Sequence, residues 1–165
     1  MRRIAPFLLA IGLILGAAAP AAARQPGPTI VGAALAINAA SGEFDHLIEA
    51  VVRADLVDAL DGNRQLTVFA PTDAAFEALF DALGVDGVDD IPIATLRAVL
   101  QHHVAPGQRF SDDVLSATRV RMLDRSFTRP SLDGGTPRID GATIVLPDVD
   151  VANGVIHVID AVLLP

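Results

Sequence analysis

Apolar positions recur along this chain with two different periods, and the change from one to the other divides it. After Thr29, an alanine-rich run over residues 30–39 has the composition of a helix. From Phe44, the positions Phe44, Leu47, Ile48 and Val51 keep the i, i+3, i+4, i+7 spacing of one helical face. Leu56, Val57 and Leu60 carry that face on to Asp61-Gly62, which predicts a second, interrupted helix. Leu66-Thr67-Val68-Phe69-Ala70 is a short β-prone run, and Pro71-Thr72-Asp73 behind it supplies a stop, an N-cap and a first-turn acid. A strand is therefore expected to run directly into a helix with the stripe Phe76, Leu79, Phe80 and Leu83, closed by Gly84.

Residues 86–92 read as an acidic loop. Thr95 is placed to cap the next helix, whose stripe of Leu96, Val99, Leu100 and His103 turns His103 inward. From Thr118 the period falls to two, with Val120 and Met122 on one side of a strand and Arg119 and Arg121 on the other. Turn signals follow at Asp133-Gly134-Gly135, Asp140-Gly141 and Asn153-Gly154, with strands expected over residues 142–146 and 155–164. Helices gathered before a run of hairpins predict an α+β domain with one packed core.

Composition narrows the chemistry. The 165 residues contain no lysine, cysteine, tryptophan or tyrosine, and arginine supplies all 12 basic groups. That excludes a P-loop lysine, a Schiff base, a thiol nucleophile, a disulfide framework, a zinc-thiolate site and a lipid-anchor cysteine. A formal charge of −8 argues against nucleic acid as a partner.

The chain opens on Met1-Arg2-Arg3, continues almost wholly apolar from Ile4, and reaches Ala21-Ala22-Ala23. This pattern predicts a secretory signal over residues 1–23 cleaved after Ala23, with an uncleaved anchor or a twin-arginine signal as the alternatives. Cleavage removes two arginines and no acid, leaving 142 residues with a formal charge of −10. Residues 24–28 form a Pro/Gly-rich spacer, and one domain is expected over residues 29–165.

Three segments together carry a resemblance. Residues 67–76 (TVFAPTDAAF), then His102-His103-Val104 before Pro106-Gly107, and finally residues 153–160 (NGVIHVID) occur in this order. They resemble the first homology block, the Tyr-His motif and the second homology block of the fasciclin (FAS1) domain, over about residues 29–165. The resemblance implies a wedge-shaped β-sandwich of two sheets flanked by several helices. It also implies an exported module for cell adhesion or matrix binding, without catalytic chemistry. One departure is visible: His102 stands where the family has tyrosine, while His103 keeps the histidine. The Asp-Ile pair linked to integrin binding in some animal members is matched here by Asp148-Val149, with only the aspartate retained. Asp148, Val149 and His102 are accordingly the adhesion candidates.

The other motif residues have simpler readings. Thr72 and Asp73 are an N-cap and a first-turn acid, and Asn153-Gly154 is a turn whose glycine tolerates positive φ. His103 and His157 are expected to be hydrogen-bonded core residues, with His102 partly exposed. Adjacent histidines on a helix diverge by about 100°, and no acid follows at i+4, so neither a metal nor a cofactor is expected. No Gly-x-Ser-x-Gly elbow occurs either. Arg119, Arg121, Arg125 and Arg129 form the one basic concentration, read either as a solvated face or as a patch for an anionic glycan or lipid headgroup.

The resulting expectation is a monomeric, periplasmic or extracellular binding module with no membrane span in the mature chain. Its partner is a cell-surface or matrix protein or polysaccharide. An envelope carrier of a small apolar or lipid ligand is the alternative, and a histidine-dependent metalloenzyme is a more distant one.

Overall fold

A computed structural model of the protein describes residues 27–165. The leader expected over residues 1–23 and most of the spacer lie outside the described residues. Helix α1 (Ile30–Ser41) starts where Thr29 accepts a hydrogen bond from the Gly32 amide. The interrupted second helix is two helices, α2 (Asp45–Arg53) and α3 (Val57–Leu60), separated at Asp55, which holds φ 57°.

Strand β1 (Leu66–Pro71) then runs directly into α4 (Asp73–Leu83), capped by Thr72 at its start and by left-handed Gly84 at its end. Phe76, Leu79 and Phe80 are buried as expected, but Leu83 is 53% exposed because the helix leaves the core in its last turn. Helix α5 (Ile93–His102) begins three residues earlier than expected, with Pro92 at its N-cap position, so Thr95 is an exposed first-turn residue and not its cap.

Strand β2 (Val104–Pro106) and the short α6 (Ser111–Ser116) follow. The β3 (Val120–Arg121) and β4 (Phe127–Thr128) ribbon comes next, then β5 (Pro130–Asp133), β6 (Thr136–Ile139), β7 (Ala142–Val151) and β8 (Gly154–Ile159). The β5–β6 hairpin turns through Gly134 and Gly135, both at positive φ, the geometry that two-residue hairpin loops favour.

The main sheet has the order β2-β1-β8-β7-β6-β5, and β3-β4 is a second, two-stranded sheet. β1 lies parallel to β8, with Leu66 opposite Gly154 and Pro71 opposite Ile159, so the first and last strands lie side by side inside the sheet. Both strands are buried throughout. Leu66, Val68, Ala70, Ile156 and Val158 face a core shared with α1, α2, α4 and α5. Phe69 and Ile159 face a second core with Val114 of α6 and Val120 of the ribbon. Burial on both faces explains why these strands read as unbroken apolar runs instead of alternating ones.

β7 is longer than expected. It continues through Pro147 and Asp148 to Val151 by bulging, with register shifts against β8 on either side of Leu146. β8 instead stops at Ile159, short of the expected residue 164.

Candidate functional site

The bulge in β7 puts Asp148 in the left-handed region, at φ 60°, a conformation that aspartate tolerates better than most residues. One carboxylate oxygen accepts the Ser111 amide at 2.6 Å, and the other accepts the Ser111 hydroxyl. Asp148 thereby caps α6, whose own N-cap, Phe110, contributes no side-chain bond. The Asp148 amide in turn donates to Nδ1 of His157 at 3.2 Å, and Nε2 of that ring donates to the Arg109 carbonyl at 2.9 Å.

This pair of bonds places the His157 proton on Nε2. The 3.9 Å approach of the Asp148 carboxylate to Nδ1 is then a contact with a neutral ring, not an ion pair. Burial pushes His157 below the ordinary histidine value, against the opposing influence of the Arg109 carbonyl and the Asp148 charge. The ring is fully buried and stacked on Phe69 at 5.4 Å. Thr67 completes the tie by accepting the Arg109 amide and donating to the Gly107 carbonyl. The loop between β2 and α6 is thus fastened to the sheet at Thr67, His157 and Asp148.

Around this anchor apolar side chains are exposed among polar ones. Leu146 is 48% exposed and Phe110 is 37% exposed, while Asp148 keeps 37% of its side chain accessible. Val149 turns the other way and packs against the helical core, so of the Asp148-Val149 pair the aspartate is the more exposed.

His102 is elsewhere and differs from expectation. It is 3% exposed, because α5 delivers it under the β3–β4 ribbon. Its Nδ1 meets Asp124 at 2.8 Å and Ser126 Oγ at 2.6 Å, while the Ser126 hydroxyl donates to the other Asp124 oxygen. The proton on Nδ1 is therefore shared between Asp124 and Ser126. Burial pushes the Asp124 carboxyl up, but the bonds from Ser126 and His102 outweigh it and hold the group below the ordinary carboxylate value. Ser, His and Asp meet here without forming a catalytic relay. Both partners use one ring nitrogen, whereas a relay needs the serine on the opposite one. A ring so placed offers no face to a partner and acts through the ribbon it holds.

The remaining motif residues are structural fasteners. Nδ1 of His103 donates to the Val99 carbonyl at 2.7 Å and Nε2 accepts the Leu163 amide at 2.8 Å, joining α5 to the chain after β8. Burial holds its pKa down at about 4. Asn153 accepts the Ile30 amide and donates to the Leu60 and Gly62 carbonyls, closing α1, the end of α3 and the β7–β8 turn on one amide group.

Gly154 has the positive φ expected of it, 159°, and a second reason to be glycine. A Cβ there would lie 1.9 Å from the Leu66 carbonyl oxygen, and glycine is what allows β1 to approach. Asp73 does more than occupy the first turn of α4. It accepts the Asp45 and His46 amides at 3.2 and 2.9 Å, capping α2, which has no side-chain cap of its own.

Two apolar cavities lie under the helices. The larger, of about 270 Å³, is bounded by residues including Leu47, Val51, Leu100 and Val104, with His103, Arg64 and Gln101 as its polar members. The smaller, of about 50 Å³, lies against α1 and shares Leu47, Val51, Leu60 and Val68 with it. Among the described residues, no group of three or more His, Cys, Asp or Glu side chains is arranged to hold a metal ion. No helix among them is long and apolar enough to cross a membrane.

The family profile described as Fasciclin domain matches residues 42–165 of this chain. The chain belongs to the fasciclin family. It is 38% identical to Protein sll1483 of Synechocystis sp., over 78% of this chain and 71% of that protein. It is 32% identical to immunogenic protein MPT70 of Mycobacterium tuberculosis, over 89% of this chain and 68% of that one. The FAS1 domain pair of the insect cell adhesion molecule Fasciclin I superposes with a TM-score of 0.69 at 19% identity, over 85% of this chain and 52% of that one, which shows a shared fold. The fasciclin profile begins at Gly42, so α1 precedes the matched residues, yet Ile30 and Ala33 are buried in the same core and Asn153 clasps the start of the helix.

Ser111, Asp124, Ser126 and Arg109 were not singled out by sequence reasoning. The Asp124-x-Ser126 spacing is a legible turn signal. Nothing local marks Ser111 as the partner of a residue 37 positions away.

Proposed function

We propose that this fasciclin domain is an exported, monomeric, non-enzymatic binding module that attaches to a cell surface or matrix, through protein or polysaccharide. The observation that carries the reading is the bulge in β7, which exposes Leu146 and holds the Asp148 carboxylate on Ser111, next to exposed Phe110, on a loop fastened at three points. Preorganised apolar surface beside a fixed charge is what a binding face needs, since little ordering is left to be done on contact. On this reading the domain occupies residues 29–165, behind a signal of residues 1–23 that is cleaved on export and a spacer of residues 24–28. The mass of the exported protein checks that boundary. Attachment of cells and of isolated wall or matrix material to surfaces coated with the protein tests the function. Leu146→Ser and Asp148→Asn should each weaken attachment without unfolding the domain. Undiminished attachment by both variants would remove the bulge from the contact, and no attachment by the wild type would remove the reading.

A second reading, an envelope carrier of a small apolar or lipid ligand, is favoured by the 270 Å³ cavity, a volume near that of small-ligand pockets. Organic extraction of the purified protein followed by mass spectrometry tests it. A stoichiometric apolar compound, lost on Val51→Phe, supports it. Ligand-free protein that takes up no apolar fluorescent probe ends it.

A further inference from the structure

The β3–β4 ribbon has two unlike faces. Val120, Met122 and Thr128 point inward and are at most 1% exposed, while Arg119, Arg121, Phe127 and Arg129 alternate onto the outer side. Phe127 is directly opposite Arg121, and the Arg119 guanidinium lies 4.3 Å from the centre of the Phe127 ring. Arg125 sits at the tip of the ribbon with φ 73°.

Three arginines elsewhere in the chain have polar partners. Arg53 meets Asp89 at 2.6 Å, Arg138 meets Asp133 at 3.3 Å, and Arg97 bonds the Ala54 carbonyl. Among the described residues, none of Arg119, Arg121, Arg125 and Arg129 has a carboxylate within ion-pair distance. Asp124 is taken up by His102 and Ser126, and Asp140 accepts the Arg129 amide. Four uncompensated guanidinium groups thus stand together on a chain of net charge −8. Their footing is rigid, since His102 holds the turn between the strands and the Leu123 amide bonds the Val104 carbonyl at 2.7 Å.

We propose that this outer face docks a carboxylated polysaccharide, one bearing a uronate-type acid at successive sugars. The inference rests on the attachment reading above and names a partner and a second contact surface for it. Arginines two apart on one strand repeat at roughly 7 Å, so a flexible polymer with a charge on successive units engages several at once. Guanidinium groups bind carboxylates through two parallel hydrogen bonds, and Arg119, held over the Phe127 ring at 4.3 Å, is a fixed guanidinium for such a pair. The same stacking covers a face of the one aromatic ring on the ribbon, which disfavours its insertion into a lipid surface.

The test measures binding of the protein, expressed from its full-length sequence, to polygalacturonate. Polyglutamate, neutral dextran and anionic phospholipid vesicles serve as the comparison probes. Polygalacturonate is expected to bind best and to be displaced by added salt, with Arg119→Ala/Arg121→Ala weakening binding about tenfold. The charge-matched Arg53→Ala/Arg64→Ala protein should stay within about twofold, with both variants checked for unchanged thermal midpoints. Equal losses in the two double variants would mean that only net charge matters and would overturn the proposal. So would equal or tighter binding to polyglutamate or to the vesicles, or no binding to polygalacturonate at low salt. Attachment to cells that survives the loss of Arg119 and Arg121 would remove this surface and leave the bulge in β7 as the contact.

Discussion

The backbone amide of Asp148 donates to Nδ1 of His157 across 3.2 Å, so a left-handed residue on the bulged strand is held by a buried imidazole of its neighbour. The histidine of the second homology block therefore shapes the exposed bulge without reaching the surface itself. Asp148 repeats the arrangement outward by capping α6 through Ser111.

Asp148 is consequently both a surface carboxylate and a structural one, and its substitution must separate the two. Asp148→Ala removes the cap and leaves a residue ill suited to φ 60°, and should cost about 1–3 kcal/mol in denaturant unfolding. Asp148→Asn keeps an acceptor for the Ser111 amide and tolerates the backbone, and should lose less than half as much. Equal losses would show that the charge itself stabilises α6.

Gly154→Ala should be among the most damaging single changes in the domain. The added methyl would lie 1.9 Å from the Leu66 carbonyl oxygen, and the obstacle is backbone at the centre of the sheet. A loss of more than about 3 kcal/mol is expected, or failure to fold. A variant with a wild-type melting curve would contradict the β1–β8 register.

Stability should fall on mild acidification. His103 titrates near 4 when folded, against 6.5 for an unburied histidine, and His157 is lowered in the same direction. The unfolded chain binds these protons first, so the stabilisation is complete above pH 6.5 and is lost as pH falls toward 4. For His103 the loss is roughly 3 kcal/mol over that window. Thermal midpoints across it should slope downward, and His103→Gln should be less stable at neutral pH with a shallower slope. Parallel slopes would assign the acid sensitivity to other groups.

His102→Phe should loosen the β3–β4 turn by removing a bond to Asp124 and Ser126 while keeping a ring at the end of α5. Because that bond helps hold the Asp124 carboxyl down, its titration followed by NMR should move upward in the variant. An unmoved Asp124 would mean that Ser126 alone holds it.

Local structure was legible in the sequence. The i, i+3, i+4, i+7 stripes placed α2 and α4, Thr29, Thr72 and Gly84 marked helix ends, and Val120 and Met122 against Arg119 and Arg121 oriented the ribbon. These signals are legible because each depends on neighbours within about one or two turns. The three ordered segments also identified the family.

Which distant groups meet was fixed by packing. Asp73 was readable as an acid in the first turn of α4 but caps α2 as well, and Asn153 was readable as a turn residue but fastens α1 and α3. His102, where the family tyrosine would stand, was expected near the surface and is buried because a ribbon 22 residues further on folds over it. The parallel pairing of β1 with β8 and the passage of β7 through Pro147 and Asp148 likewise follow from packing on both faces of the sheet. A hydrogen bond between residues far apart in the chain leaves no period and no composition in either segment, so it becomes visible only when the core has brought its two ends together.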